Sequence, residues 1–85
     1  MTVKVYLLVE TLVGKTLDVA NTLRSMDSIE SADVVTGPCD IIAVISGADM
    51  NEVSNLITGK VHAVQGVVRT ITCIVVNNGK VLATR

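Results

Sequence analysis

Aromatic side chains are almost absent: Tyr6 is the only ring among 85 residues, and neither Phe nor Trp occurs. The chain therefore lacks stacking platforms. With 7 basic and 8 acidic residues, a net charge of −1 and no basic run, it also lacks a phosphate-binding stripe. Direct nucleic-acid binding is not expected. Histidine occurs once, at His62, and the two cysteines, Cys39 and Cys73, lie far apart and match no metal-ligand spacing. No metal and no cofactor are expected. No apolar run exceeds five residues, against the roughly 20 needed to cross a bilayer. No basic segment leads into an apolar one as in a secretory signal. The expectation is a cytoplasmic protein with reduced thiols and no membrane partner, although sequence alone leaves a Cys39–Cys73 disulfide open.

What is present is apolar surface. Hydrophobic residues make up 49% of the chain, and mean hydropathy is +0.59. Without a membrane segment, that surplus points to contacts between subunits. The clearest local signal is Val34 to Ser46, VVTGPCDIIAVIS. Two strand-forming runs flank a Thr36-Gly37-Pro38-Cys39-Asp40 corner, which reads as a hairpin with a polar elbow. Ile41 to Ile45 is apolar at every position, so that strand needs cover on both faces. A chain this short has too few elements to provide it, which predicts a second copy of the chain.

The remaining segments alternate in period. Val3, Val5, Leu7 and Val9 share one face of a first strand, with Tyr6 and Leu8 on the other. Gly14 to Met26 reads as an amphipathic helix with Val13, Leu17, Ala20 and Leu23 buried and Val19 and Met26 at the margin. Ile29 to Thr36 begins polar, as suits an edge strand. Asp49 with Glu52 reads as a capping box opening a second helix, whose buried stripe is Met50, Val53, Leu56, Ile57, Val61 and Val64. Gly59 inside that helix implies close packing or an early end. Val67 to Val76 is a last strand, with Val67, Arg69, Ile71, Cys73 and Val75 facing one way and Cys73 expected in the core. Asn78-Gly79 is a hairpin signal leading to a short return strand at Lys80 to Thr84.

The order βαββαβ predicts an α+β, ferredoxin-like domain: a four-stranded antiparallel sheet with two helices on one face. The face carrying Tyr6, Leu8 and half of Ile41 to Ile45 would stay bare, favouring a sheet-to-sheet homodimer.

No catalytic constellation is visible, and the chain is not expected to be an enzyme. His62 beside Lys60 reads as a polar helix end, and Cys39 lacks a sequence-adjacent base. The elbow suits binding better. Gly37 permits close approach, exposed amides could hold a carboxylate, Asp40 could pair with an ammonium, and Thr70 and Thr72 offer hydroxyls from one strand face. Equally, Asp40 could merely stabilise its own turn.

These residues together resemble the effector-sensing (RAM) domain of the Lrp/AsnC transcription regulators. The carriers are Glu10 before Gly14-Lys15, Val35-Thr36-Gly37 with Asp40-Ile41, Asp49-Met50, and Gly66-Val67-Val68-Arg69-Thr70-Ile71-Thr72. The resemblance spans nearly the whole chain, read as one domain over 1–85. It implies dimers joined through their sheets, rings such as octamers, and an effector, usually an amino acid, bound between dimers near the elbow. Carried over, the ligand-binding residues are Thr36, Gly37, Asp40, Ile41, Arg69, Thr70 and Thr72. Two departures stand out. The sequence opens on the first sensing strand with no helix-turn-helix, so it reads as a stand-alone module that could co-assemble with full-length relatives. Pro38-Cys39 stands where relatives often carry a bulky residue. Three other readings share the fold: a small dimeric enzyme using Tyr6, His62 or Cys39, a ligand-free assembly domain, and an ACT-like domain paired by sheet edges.

Overall fold

The computed structural model describes residues 2–76. Strands β1 (Val3–Thr11), β2 (Ile29–Val34), β3 (Ile41–Gly47) and β4 (Val67–Ile74) form one sheet, and helices α1 (Thr16–Arg24) and α2 (Met50–Leu56) provide its cover. The sheet order is β2-β3-β1-β4 and every pairing is antiparallel. This is the expected ferredoxin-like arrangement, with β2 at an edge as its polar start suggested. The anticipated Asn78-Gly79 turn and return strand lie outside the described residues.

Alternation along the central strands separates a dry face from a bare one. Val5, Leu7 and Val9 of β1 and Ile41, Ala43 and Ile45 of β3 are fully buried. They pack in one cluster with Val19, Ala20 and Leu23 of α1, Val53 of α2, and Ile57 and Val61 beyond it. Each of the valine, leucine and isoleucine side chains among them gains about 1.5–3 kcal/mol from full burial. On the opposite face the register aligns Tyr6 with Val44 and Cys73, and Leu8 with Ile42 and Ile71. No element of the described chain covers this second set. Tyr6 is 40% exposed and Ile71 49%. The two-sided apolar reading of Ile41 to Ile45 thus holds: one side is in the core, and the other is left half-buried.

Several local expectations are corrected. Helix α1 starts at Thr16, so Val13 lies in the preceding turn, at the surface, and Leu17 is 65% exposed. Leu17 precedes Val19 by two residues, about 200° around the helix, and so faces away from the buried stripe. Cys73 is exposed rather than core, because β4 is an edge strand and Cys73 sits on its bare side opposite Tyr6. Both cysteines are free. Val67 does not share a face with Arg69. The register slips at Glu10/Thr11, pairing Thr11 with Val67 and Glu10 with Arg69, and Val67 packs against the core.

The second helix begins as its sequence suggests. Asp49 Oδ1 accepts the Glu52 N–H at 2.9 Å, while Glu52 reaches back to the Ala48 N–H at 3.3 Å, one residue before the position of a standard box. The helix then widens into a π turn over Ile57–Val61, where the His62 N–H bonds the Ile57 carbonyl five residues back at 2.9 Å. Gly59 lies in that turn. A Cβ there would touch nothing within 4 Å, so close packing does not explain it.

Candidate functional site

Three segments meet where β1 ends. The elbow begins with the Val35 N–H bonded to the Asp40 carbonyl at 2.9 Å, and the Asp40 N–H bonds the Val9 carbonyl at 3.0 Å. Asp40 then turns its carboxylate toward β1. Oδ2 accepts the Thr11 N–H at 2.8 Å and the Thr11 hydroxyl at 3.3 Å. The Thr11 hydroxyl also lies 2.7 Å from that of Thr16, the first residue of α1. Asp40 is therefore not confined to its own turn. It fastens the elbow to the end of β1 and, through Thr11, to the start of α1. Among the described residues, Oδ1 takes no hydrogen bond.

The rest of the elbow is open. Thr36, Gly37 and Pro38 are exposed, and Gly37 has a φ of +41°, which disfavours a side chain. Cys39 is buried, its thiol donating toward the Ile41 carbonyl at 3.5 Å. The Ile41 side chain lies wholly in the core, so only its backbone is available at this site.

The last-strand candidates separate onto two sides of the sheet. Arg69 pairs across from Glu10 on the bare side; its Nε donates to Glu10 at 3.1 Å, and its other contact to the same carboxylate is an ion pair. Thr70 aligns with Val9 and Thr72 with Leu7, placing both on the helix side. The Thr70 hydroxyl is 2.8 Å from His62 Nε2. Since β3 and β4 flank β1 on opposite sides, the elbow and these threonines are about two strand spacings apart, roughly 10 Å. One subunit therefore does not gather the elbow and the β4 candidates into one cluster.

Thr11 and Thr16 were not marked by any motif. A threonine ending a strand has no sequence signal distinguishing a surface hydroxyl from a carboxylate partner, and their role follows from the fold. The same is true of the His62–Thr70 contact. Among the described residues no group of three or more His, Cys, Asp or Glu is placed to hold a metal ion, and no helix is long and apolar enough to cross a membrane.

Comparison with known proteins agrees with this architecture. The model of the Lrp/AsnC ligand binding domain matches residues 4–81. No curated protein sequence matches the chain. Among solved structures, protein PHS023 of Pyrococcus horikoshii is similar at 27% identity and a TM-score of 0.82, over 88% of this chain and 90% of its own. Escherichia coli AsnC is similar at 17% identity and a TM-score of 0.87, over 94% of this chain. The transcriptional regulator NMB0573 of Neisseria meningitidis, solved with L-methionine, is similar at 18% identity and a TM-score of 0.84, over 98% of this chain. This chain spans about half the length of the latter two, 54% and 55%. At those identities the likeness speaks for the fold. The family match rests on sequence and covers the elbow, its strut to β1 and all of β4. The chain therefore belongs to the Lrp/AsnC ligand-binding domain family.

Proposed function

We propose that this chain is a cytoplasmic, non-enzymatic module that senses a small molecule, an amino acid, and acts as a homo-oligomer in transcription regulation without contacting DNA itself. The observation that carries the reading is the half-engaged Asp40. One carboxylate oxygen is held by Thr11, so the group is fixed in place, while the other is free to meet an ammonium. Thr36 and Gly37, exposed in the same elbow, offer a hydroxyl and backbone amides for a carboxylate. Thr70, Thr72 and Arg69 cannot reach the same ligand from the same copy. Thr70 and Thr72 lie on the helix side and Arg69 on the bare side, so whichever set completes an elbow-bound ligand would come from a neighbouring subunit, coupling binding to assembly. The complex of NMB0573 with L-methionine supports an amino acid as the ligand class.

The bare sheet face supports the homodimer. Tyr6, Leu8, Ile42, Val44, Ile71 and Cys73 form its apolar centre, with Lys4, Ser46, Glu10 and Arg69 toward its ends. An apolar centre inside a polar rim is the usual anatomy of a subunit interface. Mixed assemblies with relatives of the family would use the same face, whereas rings of dimers would need a second contact elsewhere on the surface.

Calorimetry with the twenty amino acids, on the wild type and on Asp40→Ala, tests the reading together with light scattering. Heat from one or a few amino acids, abolished by the substitution, is the expected result. A second reading, a ligand-free assembly domain in which Asp40 is only a strut, draws on the same Thr11 contacts. It is favoured if the wild type oligomerises, no amino acid gives heat, and Asp40→Ala lowers stability alone.

A further inference from the structure

On the helix side of the sheet, α1 and the segment on either side of His62, whose ring meets Thr70, leave an open cleft of about 400 Å³. That lies within the range of small-molecule sites, about 300–1,000 Å³. One wall presents Lys15, the residue capping the start of α1, with Asp18 and Thr22 of the helix at steps of three and four from it. Lys60, from the π turn, and Gln65 face them, with Ala63 and Val64 supplying apolar lining. Among the described residues the only ion pair is Arg69–Glu10. Lys15, Lys60 and Asp18 thus line one cavity with no direct ion pair among them.

We infer that this cleft binds an acidic amino acid, a ligand with two carboxylates and one ammonium. Two lysines and one aspartate are the complementary set. A simple phosphate or dicarboxylate would satisfy the lysines but face Asp18 with like charge, and a neutral amino acid would leave one lysine without a counter-ion. Thr22 and Gln65 add neutral hydrogen-bonding groups. The π turn is part of the device. Its i→i+5 bond inserts an extra residue ahead of His62, in the segment that carries Lys60 into the cleft, and such turns recur at functional sites. The cleft opens on the side opposite the bare sheet face, so sheet-to-sheet pairing leaves it accessible. The inference does not depend on the elbow being a ligand site.

The test is an amide-resolved NMR titration of the full chain with L-glutamate and L-aspartate, with L-glutamine and L-leucine as comparators. Glutamate or aspartate should shift Lys15, Asp18, Lys60 and Gln65 while leaving Thr36 to Asp40 in place. Lys60→Gln and Asp18→Asn should each weaken that binding by about fivefold or more, while Asp27→Asn, an exposed charge in the turn after α1, leaves it unchanged within twofold. Both cleft substitutions are at exposed positions, and an unchanged melting midpoint verifies the fold. Absence of shifts around the cleft at millimolar glutamate overturns the proposal, as does equal binding of glutamine, or retention of affinity in Lys60→Gln. Shifts confined to Thr36–Asp40 also overturn it, while supporting the elbow as the ligand site.

Discussion

The carboxylate of Asp40 accepts the backbone N–H of Thr11, 29 residues away in sequence, at 2.8 Å. This single contact joins the elbow between β2 and β3 to the end of the central strand β1. Through the Thr11 hydroxyl it extends to Thr16 at 2.7 Å. A group placed so firmly is a structural tie and, in the function proposed above, an oriented ligand acceptor.

Replacing Asp40 separates these two roles. Asp40→Ala removes an acceptor for a partly buried N–H and hydroxyl, and should lower stability by about 1–2 kcal/mol, read from urea denaturation. Asp40→Asn keeps an oxygen facing Thr11 and should lose less than half of that. Because it has no charge to meet an ammonium, it should still lose amino-acid binding at the elbow in calorimetry.

The phase of α1 is tested by two leucines on opposite sides of the helix. Leu23 is fully buried and Leu17 is 65% exposed. Leu23→Ala should destabilise by about 2–5 kcal/mol. Leu17→Ala should remain within about 0.5 kcal/mol. Similar losses at both positions would show that the buried stripe runs where the sequence periodicity first suggested.

Two glycines should respond with opposite outcomes. Gly66 has a φ of +104°, and a Cβ there would lie 2.9 Å from Val19 Cγ2 and 3.1 Å from Lys15 Cβ. Gly66→Ala should cost about 1–3 kcal/mol from strain and overpacking. Gly59→Ala meets open space and should be neutral or stabilising by up to about 1 kcal/mol, since alanine loses less backbone entropy. Thermal melting of the two variants side by side distinguishes them.

The exposed Cys73 reports on pairing through the bare face. In dilute solution a maleimide should label Cys73 readily and the buried Cys39 slowly. Raising the protein concentration should protect Cys73 as copies cover it. Leu8→Glu, which puts a charge in the middle of that face, should abolish the protection and reduce the mass seen by light scattering. Labelling of Cys73 that is independent of concentration would argue against assembly by this route.

Much of the architecture was legible because hydrophobic period is a local property. Val3, Val5, Leu7 and Val9 alternate, Ile41 to Ile45 does not, and Asp49 with Glu52 marks a helix start, so strand and helix identities and their order followed from the chain. The misreadings have a common cause. Val13 and Leu17 are apolar at helical spacing, but only the position of the Gly14 turn decides where the helix begins. Cys73 lies in an apolar run, but only its place on the edge strand opposite Tyr6 decides that it is uncovered. Val67 changes sides because of a slip opposite Glu10 and Thr11 that no pattern within β4 announces.

By itself, then, the sequence determined which segments are strands and helices, that one sheet face would lack cover, and that Thr36 to Asp40 is a polar corner. Tertiary structure alone decided that Asp40 is held by Thr11, that Arg69 and Thr70 point to opposite sides of the sheet, and that Lys15, Asp18 and Lys60 line one cleft. The physical reason is range. Side-chain periodicity is set by the few residues on either side, whereas a site is made by strand register and helix placement that bring together groups tens of residues apart.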